Sequence, residues 1–210
     1  MQTIAMLRHL PTVDDVGDVY TPASANPPLA EIASDVVDGL RAEIQAVLGA
    51  NPETTLWSSD NPRGRTTVEV LVGGAADVHL DARLNNILQP EWAGQHQSKV
   101  KRTDRYKLWH TRPEAVQFEH GESLADVKAR VSDFLNDLGE RSAIIFSHTT
   151  PMQVLACQLM RLPVGHIWSL KFDHLRWSLF VPGILLRLNA DSVSDLSVAD
   201  LKLPPSEEII

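Results

Sequence analysis

A three-layer α/β/α sandwich with a mostly parallel central sheet is predicted by three features of this sequence. Short apolar runs alternate with longer amphipathic ones, the strand–helix alternation that builds a parallel sheet covered on both sides. Thr3–Leu7 (TIAML) and Ala143–Phe146 (AIIF) are apolar without period-two alternation, as expected of strands buried on both faces. Each of these runs leads into a histidine, His9 and His148, and ligands of open α/β sheets gather outside the carboxyl ends of the strands.

The elements follow in order. After the first strand, residues 10–28 are rich in Pro, Asp, Gly and Ser and read as a loop. From Glu31, apolar residues recur at Ile32, Val36, Leu40, Ile44 and Val47, predicting an amphipathic helix that stops at Gly49. Thr54–Trp57 reads as a strand, Gly64–Val72 as a helix and Val78–Leu80 as a short strand. Residues 85–120 show little periodicity and are read as a cap-like insertion. Leu124, Val127, Val131, Phe134 and Leu138 define a helix capped by Ser123, with Asp126 as a weaker capping-box partner and Gly139 at its end. Pro151 suits the first turn of a helix from Thr149 to about Met160. Trp177–Val181 and Ile184–Leu188 flank Pro182-Gly183 and read as a terminal hairpin. No repeat and no linker divides residues 1–210, so one domain is expected.

Composition narrows the function. With 210 residues, 43% hydrophobic and 22% charged, the chain is long enough for one well-buried core. A net charge of −8 argues against nucleic acid as a partner but not against a small anion held by local positive charge. No apolar stretch reaches membrane-spanning length, and the N-terminus lacks the basic region of a signal peptide. Cys157 is the sole cysteine, which suits a reducing compartment, and a cytoplasmic location is expected. Oligomeric state is left open, although Leu159–Trp168 and the terminal hairpin offer apolar surface for a homodimer.

The chemistry concentrates at the two strand ends. Arg8 precedes His9, and His148 meets the start of the Thr149-Thr150-Pro151 helix, where free N–H groups favour an anion. Each histidine alone has a bland alternative, a structural residue satisfied by hydrogen bonds. Two at equivalent strand ends, with Arg8 and Arg63 nearby, suit a phosphoryl group.

Four segments then carry a resemblance. Leu7-Arg8-His9-Leu10-Pro11-Thr12 resembles the Arg-His-Gly-x-Thr signature of the histidine phosphatase (phosphoglycerate mutase-like) superfamily. Ser58–Thr67 is similar to its second block, whose arginine falls on Arg63. Gly121-Glu122-Ser123 matches its helix opening, and Phe146-Ser147-His148 the block of its second histidine. The resemblance implies that His9 attacks phosphorus to form a phosphohistidine, while Arg8, Arg63 and His148 hold the phosphoryl oxygens. Thr12, Asp15, Asn86 and Thr149 are expected to line the substrate site. Neutral imidazole is an available nucleophile near pH 7, and guanidinium groups stabilise the transferring group. No cofactor is expected, and no metal-ligand spacing is evident among the eight histidines.

The sequence also departs from that pattern. Asn86 falls where the family has its proton-donating glutamate, within Leu84–Gly94. General acid catalysis is typically worth ~10²–10⁴ in rate. Another carboxylate (Asp15, Glu91, Glu119 or Glu122) serves instead, or the leaving group needs no acid, or the chain only binds its ligand. A leaving group of the second kind is that of a phosphohistidine, an acyl phosphate or a phosphoanhydride. Leu10 replaces a glycine and either narrows the pocket or points into the core. Asp15 replaces a frequent asparagine, where a carboxylate would repel phosphate. The basic cluster Lys99–Lys107, with Arg102 and Arg105, either recruits an anionic substrate or is a solvated face. Trp92, Trp109 and His110 form either a stacking wall or local core. The leading expectation is a phosphatase acting on a small phosphorylated substrate, with a mutase less favoured and a non-catalytic phospho-ligand binder as the alternative.

Overall fold

The computed structural model describes residues 2–181 and 183–191. Six strands form one sheet: β1 (Ile4–Arg8), β2 (Thr55–Ser59), β3 (Val78–Asp81), β4 (Ala143–Ser147), β5 (Trp177–Val181) and β6 (Ile184–Ala190), in the order β3-β2-β4-β1-β5-β6. β3, β2, β4 and β1 run parallel; β5 is antiparallel to β1 and to β6. Pro182, half of the expected hairpin turn, lies outside the described residues.

Alternate residues of the central strands serve opposite cores, which accounts for their unbroken hydrophobicity. Ile4, Met6, Ala143 and Ile145 pack in one cluster with α6 (Leu124–Leu138) and α7 (Thr149–Leu159). Ala5, Leu7, Ile144 and Phe146 pack in the other with Leu40 and Ile44 of α2 (Ser34–Ala50) and Leu71 of α3 (Pro62–Leu71). The sheet is therefore sandwiched between helices, as the periodicities predict.

Three boundaries differ from the sequence expectation. α2 begins at Ser34 and runs through Gly49 to Ala50; Pro52, not Gly49, ends it, by keeping Asn51 out of the helical conformation. α3 starts at Pro62, whose fixed φ and missing N–H suit a first helical turn. The loop over 10–28 contains a one-turn helix, α1 (Val13–Val16), closed by a reciprocal capping box between Thr12 and Asp15.

Residues 85–120 are more ordered than their weak periodicity suggests. They hold α4 (Gln97–Val100), capped by His96, and α5 (Asp104–Thr111), capped by Thr103. Side-chain caps nucleate these helices without an amphipathic stripe. Gly121 closes the segment: a Cβ there would stand 2.2 Å from the Leu88 carbonyl oxygen, so only glycine lets the two strips of backbone meet. Among the described residues no helix is long and apolar enough to cross a membrane.

Candidate functional site

The β1–β4 pairing builds the site. Arg8 lies opposite Ser147 in parallel register, and the His9 amide donates to the Ser147 carbonyl at 2.8 Å. His9 and His148 therefore leave adjacent strand ends side by side, with ring centroids 4.9 Å apart. β2, on the far side of β4, leads into α3 and delivers Arg63 to the same edge. Arg8, His9, Arg63 and His148 together line a cavity of about 540 Å³.

Hydrogen bonds settle the imidazole tautomers. His9 Nδ1 lies 2.8 Å from the Leu10 carbonyl oxygen. A carbonyl only accepts, so Nδ1 carries the proton and Nε2 is left with its lone pair. His148 Nε2 lies 2.8 Å from the Ser59 hydroxyl. That hydroxyl donates to Asn85 Oδ1 and accepts from the Asn61 amide, so His148 Nε2 must be a donor. The Nδ1 of His148 is buried with no partner among the described residues.

The electrostatics favour an anion and neutral imidazoles. Burial, reinforced by Arg8, holds His9 well below the usual histidine range. Burial, with His9, Arg63 and Arg8, does the same for His148. Burial opposes the charge on Asp15, but the Arg8 guanidinium and the Thr12 hydrogen bond favour the carboxylate, which sits below its usual range. Arg8 donates to Asp15 Oδ1 at 3.0 Å. Two guanidinium groups thus face one carboxylate. Asp15 is bound to Arg8 and to the Thr12 amide and hydroxyl, which removes the repulsion expected of a free carboxylate at this position.

The family model for the histidine phosphatase superfamily (branch 1) matches residues 6–183. This chain belongs to that superfamily. The chain is also 28% identical over 134 residues to phosphoserine phosphatase 1 of Hydrogenobacter thermophilus, a match covering 59% of this chain and 64% of that relative. The chain thus spans just under two thirds of the relative's length. Among solved structures, mycobacterial glucosyl-3-phosphoglycerate phosphatase shares 22% identity with a TM-score of 0.75, over 90% of this chain and 100% of that one. The α-ribazole phosphatase of Shigella flexneri shares 20% identity with a TM-score of 0.75, over 91% of this chain and 98% of that one.

The departures of this chain from the family signature find their places. Leu10 is fully buried in the α2-side core, so its side chain leaves the cavity free; its carbonyl is what His9 needs. Asn86 lines the cavity, with its amide bound to Asn61 and its own Oδ1 accepting from the Ile87 amide. Of the substitute acids, Glu91 is tied to Arg105 and to the Glu119 amide, and Glu122 to Arg130 and to the Leu88 amide. Neither they nor Glu119 line the cavity; Asp15 does, as an ion-paired carboxylate.

Thr149 lines the cavity from the first turn of α7, whereas Thr12 serves as the α1 cap behind it. Arg102 is exposed and Arg105 is held by Glu91; neither reaches the cavity. Trp92 is buried as local core, while Trp109 and His110 contribute to the cavity wall.

Several neighbours escaped the sequence reading. His174 sits 5.1 Å from His9 between ring centroids and 3.5 Å from Asp15 Oδ1. It precedes β5, and only the reversal of that strand brings its start to the edge where β1 ends. One ligand atom from each of His9, Asp15 and His174 lies within 4.8 Å of the others, a grouping that no histidine spacing signalled. The Arg8 guanidinium on Asp15 sets a positive charge against any cation there. Ser59 and Asn61 fall inside the second family-like block and Asn85 just before Asn86, but nothing in the sequence marks them as the residues that orient His148.

Proposed function

We propose that this protein is a phosphatase that hydrolyses a small phosphorylated substrate through a phosphohistidine on His9. The observation that carries the reading is the Leu10 carbonyl on His9 Nδ1, which fixes an unprotonated Nε2 beside Arg8, Arg63 and His148. His9 Nε2 attacks phosphorus, and the bond to the leaving oxygen breaks with its electron pair going to that oxygen. Water then attacks phosphorus, the P–N bond breaks, and the pair returns to Nε2 as inorganic phosphate forms. Arg8 and Arg63 stabilise charge on the phosphoryl oxygens throughout. His148, protonated as the anion arrives, offers its Nδ1 proton to the same group. Residues 85–120 act as a cap, supplying Asn86, Ile87 and Tyr106 to the cavity wall.

The phosphatase names carried by the relative and the structural neighbours support this class of reaction, though they span different substrates. Asn86, with no free carboxylic acid among the described lining residues, favours a leaving group that departs without a proton. It equally motivates the second reading, a binder of phosphorylated ligands with little turnover. p-Nitrophenyl phosphate separates the two, because nitrophenolate needs no acid. Wild-type turnover is expected to fall at least ~10³-fold in His9→Gln, and acid-labile phosphate labelling to appear only on the wild type. Equal turnover by the variant ends the covalent mechanism; absence of turnover by the wild type leaves the binder.

A further inference from the structure

The cavity extends well beyond its cationic floor. His9, Arg63 and His148 are almost fully buried, whereas Tyr106 and His110 of α5 and Trp168 are half-buried and line the same space. His110 stacks on Trp168 with centroids 3.9 Å apart at 24°, and Tyr106 lies 4.2 Å from His110. Trp168 Nε1 donates to the Trp109 carbonyl at 2.7 Å, so the indole is fixed and its one polar group is satisfied. Among the described lining residues, the charged side chains are Arg8, Asp15 and Arg63, all on the floor. The outer wall therefore offers no counter-charge to an ammonium, and Lys101, whose charge is felt at His110, opposes one further.

We propose that this outer wall is a subsite for an uncharged planar ring, so that the substrate is a phosphomonoester whose leaving group carries an aromatic or heteroaromatic ring. The inference rests on the phosphatase reading and narrows it. A volume of about 540 Å³ holds far more than inorganic phosphate, and the fixed rings provide a face for stacking at little entropic cost. An oxygen conjugated to such a ring leaves without a proton, which matches Asn86 in place of an acid. Of residues 99–107, Tyr106 alone lines this space.

Phosphonates, which cannot be hydrolysed, isolate binding from chemistry. Calorimetry on the full chain is expected to show benzylphosphonate binding at least tenfold tighter than methylphosphonate, and 2-aminoethylphosphonate no tighter than methylphosphonate. Trp168→Ala is expected to narrow the benzyl-to-methyl ratio to within threefold; His110→Ala serves the same comparison if that variant does not fold. Equal wild-type affinities for the benzyl and methyl compounds, or a preference for the aminoethyl compound, overturn the subsite. A benzyl preference without turnover of p-nitrophenyl phosphate keeps the subsite and removes the phosphatase. Turnover without a benzyl preference does the reverse, and failure of all three phosphonates to bind removes both.

Discussion

The Ser59 hydroxyl is shared by His148, Asn85 and the Asn61 amide, and nothing else described holds the His148 ring at Nε2. Ser59→Ala leaves the His148 Nε2 donor unsatisfied, at ~1–3 kcal/mol, while the Asn61 amide keeps its bond to Asn85 Oδ1. The expected result is lower stability by denaturant titration and a fall of at least tenfold in kcat/KM on p-nitrophenyl phosphate. Unchanged kcat/KM would mean that His148 does not need this orientation. Acid sensitivity belongs to the same residues. Burial, with Arg8, pushes His174 down to about 4, while an unfolded histidine titrates near ~6.5. Between those values the unfolded chain binds a proton that the folded chain refuses, so stability is complete above the unfolded value and declines as pH falls. His174 alone accounts for roughly 2 kcal/mol of loss by pH 5. His9, His148 and the depressed Asp15 push in the same direction. Thermal midpoints should drop steadily from pH 7 to pH 5, with a shallower slope in His174→Asn; parallel slopes would show that His174 is not responsible. His9, His148, Arg8 and Arg63 were visible in the sequence because they follow apolar runs or sit in recognisable blocks. Ser59 and His174 were not, since their roles depend on which strands are neighbours and in which direction they run.

At the scale of elements, α3 sits unusually close to β2. A Cβ on Gly64 would stand 2.4 Å from the Ser59 carbonyl oxygen and 3.0 Å from the Ser59 Cβ, so the glycine sets where both Arg63 and Ser59 lie. Gly64→Ala must push helix and strand apart, at a cost of about 1–3 kcal/mol. The expected outcome is that loss in urea titration together with reduced phosphate affinity, because one displacement moves an arginine and the support of a histidine. Wild-type stability in this variant would show that the contact yields freely. The sequence marks α2 and α6 clearly, because each lays an apolar stripe on the sheet, and α7, which is buried all round, by Pro151 in its first turn. α4 and α5 have no comparable stripe and stand on local caps from His96 and Thr103, which periodicity does not register. The reach of α5 to the cavity was thus the hardest feature to read, although it supplies Tyr106 and His110.

For the whole molecule, an acidic chain of net charge −8 concentrates opposite charge in one buried place. An anion bound there stabilises only the folded form, by about 2.7 kcal/mol at a hundredfold excess over Kd. For a chain of this size that is a rise of roughly 5–10 °C in thermal midpoint. Vanadate or inorganic phosphate should produce that rise in the wild type and little in Arg63→Ala; the same rise in both would place the anion elsewhere. Sheet composition and the meeting of β1 with β4 were foreseeable from buried runs and histidines at their ends, whereas the antiparallel β5 was legible only as half of a hairpin.

The burial gradient along the cavity, from His148 at its floor to Trp168 at its rim, imposes a sequence of departures. In the proposed reaction the dephosphorylated alcohol occupies the exit and leaves first, so orthophosphate is the last product out. Orthophosphate accumulating in that proposed reaction then competes with incoming ester, which would give the protein a built-in brake on turnover.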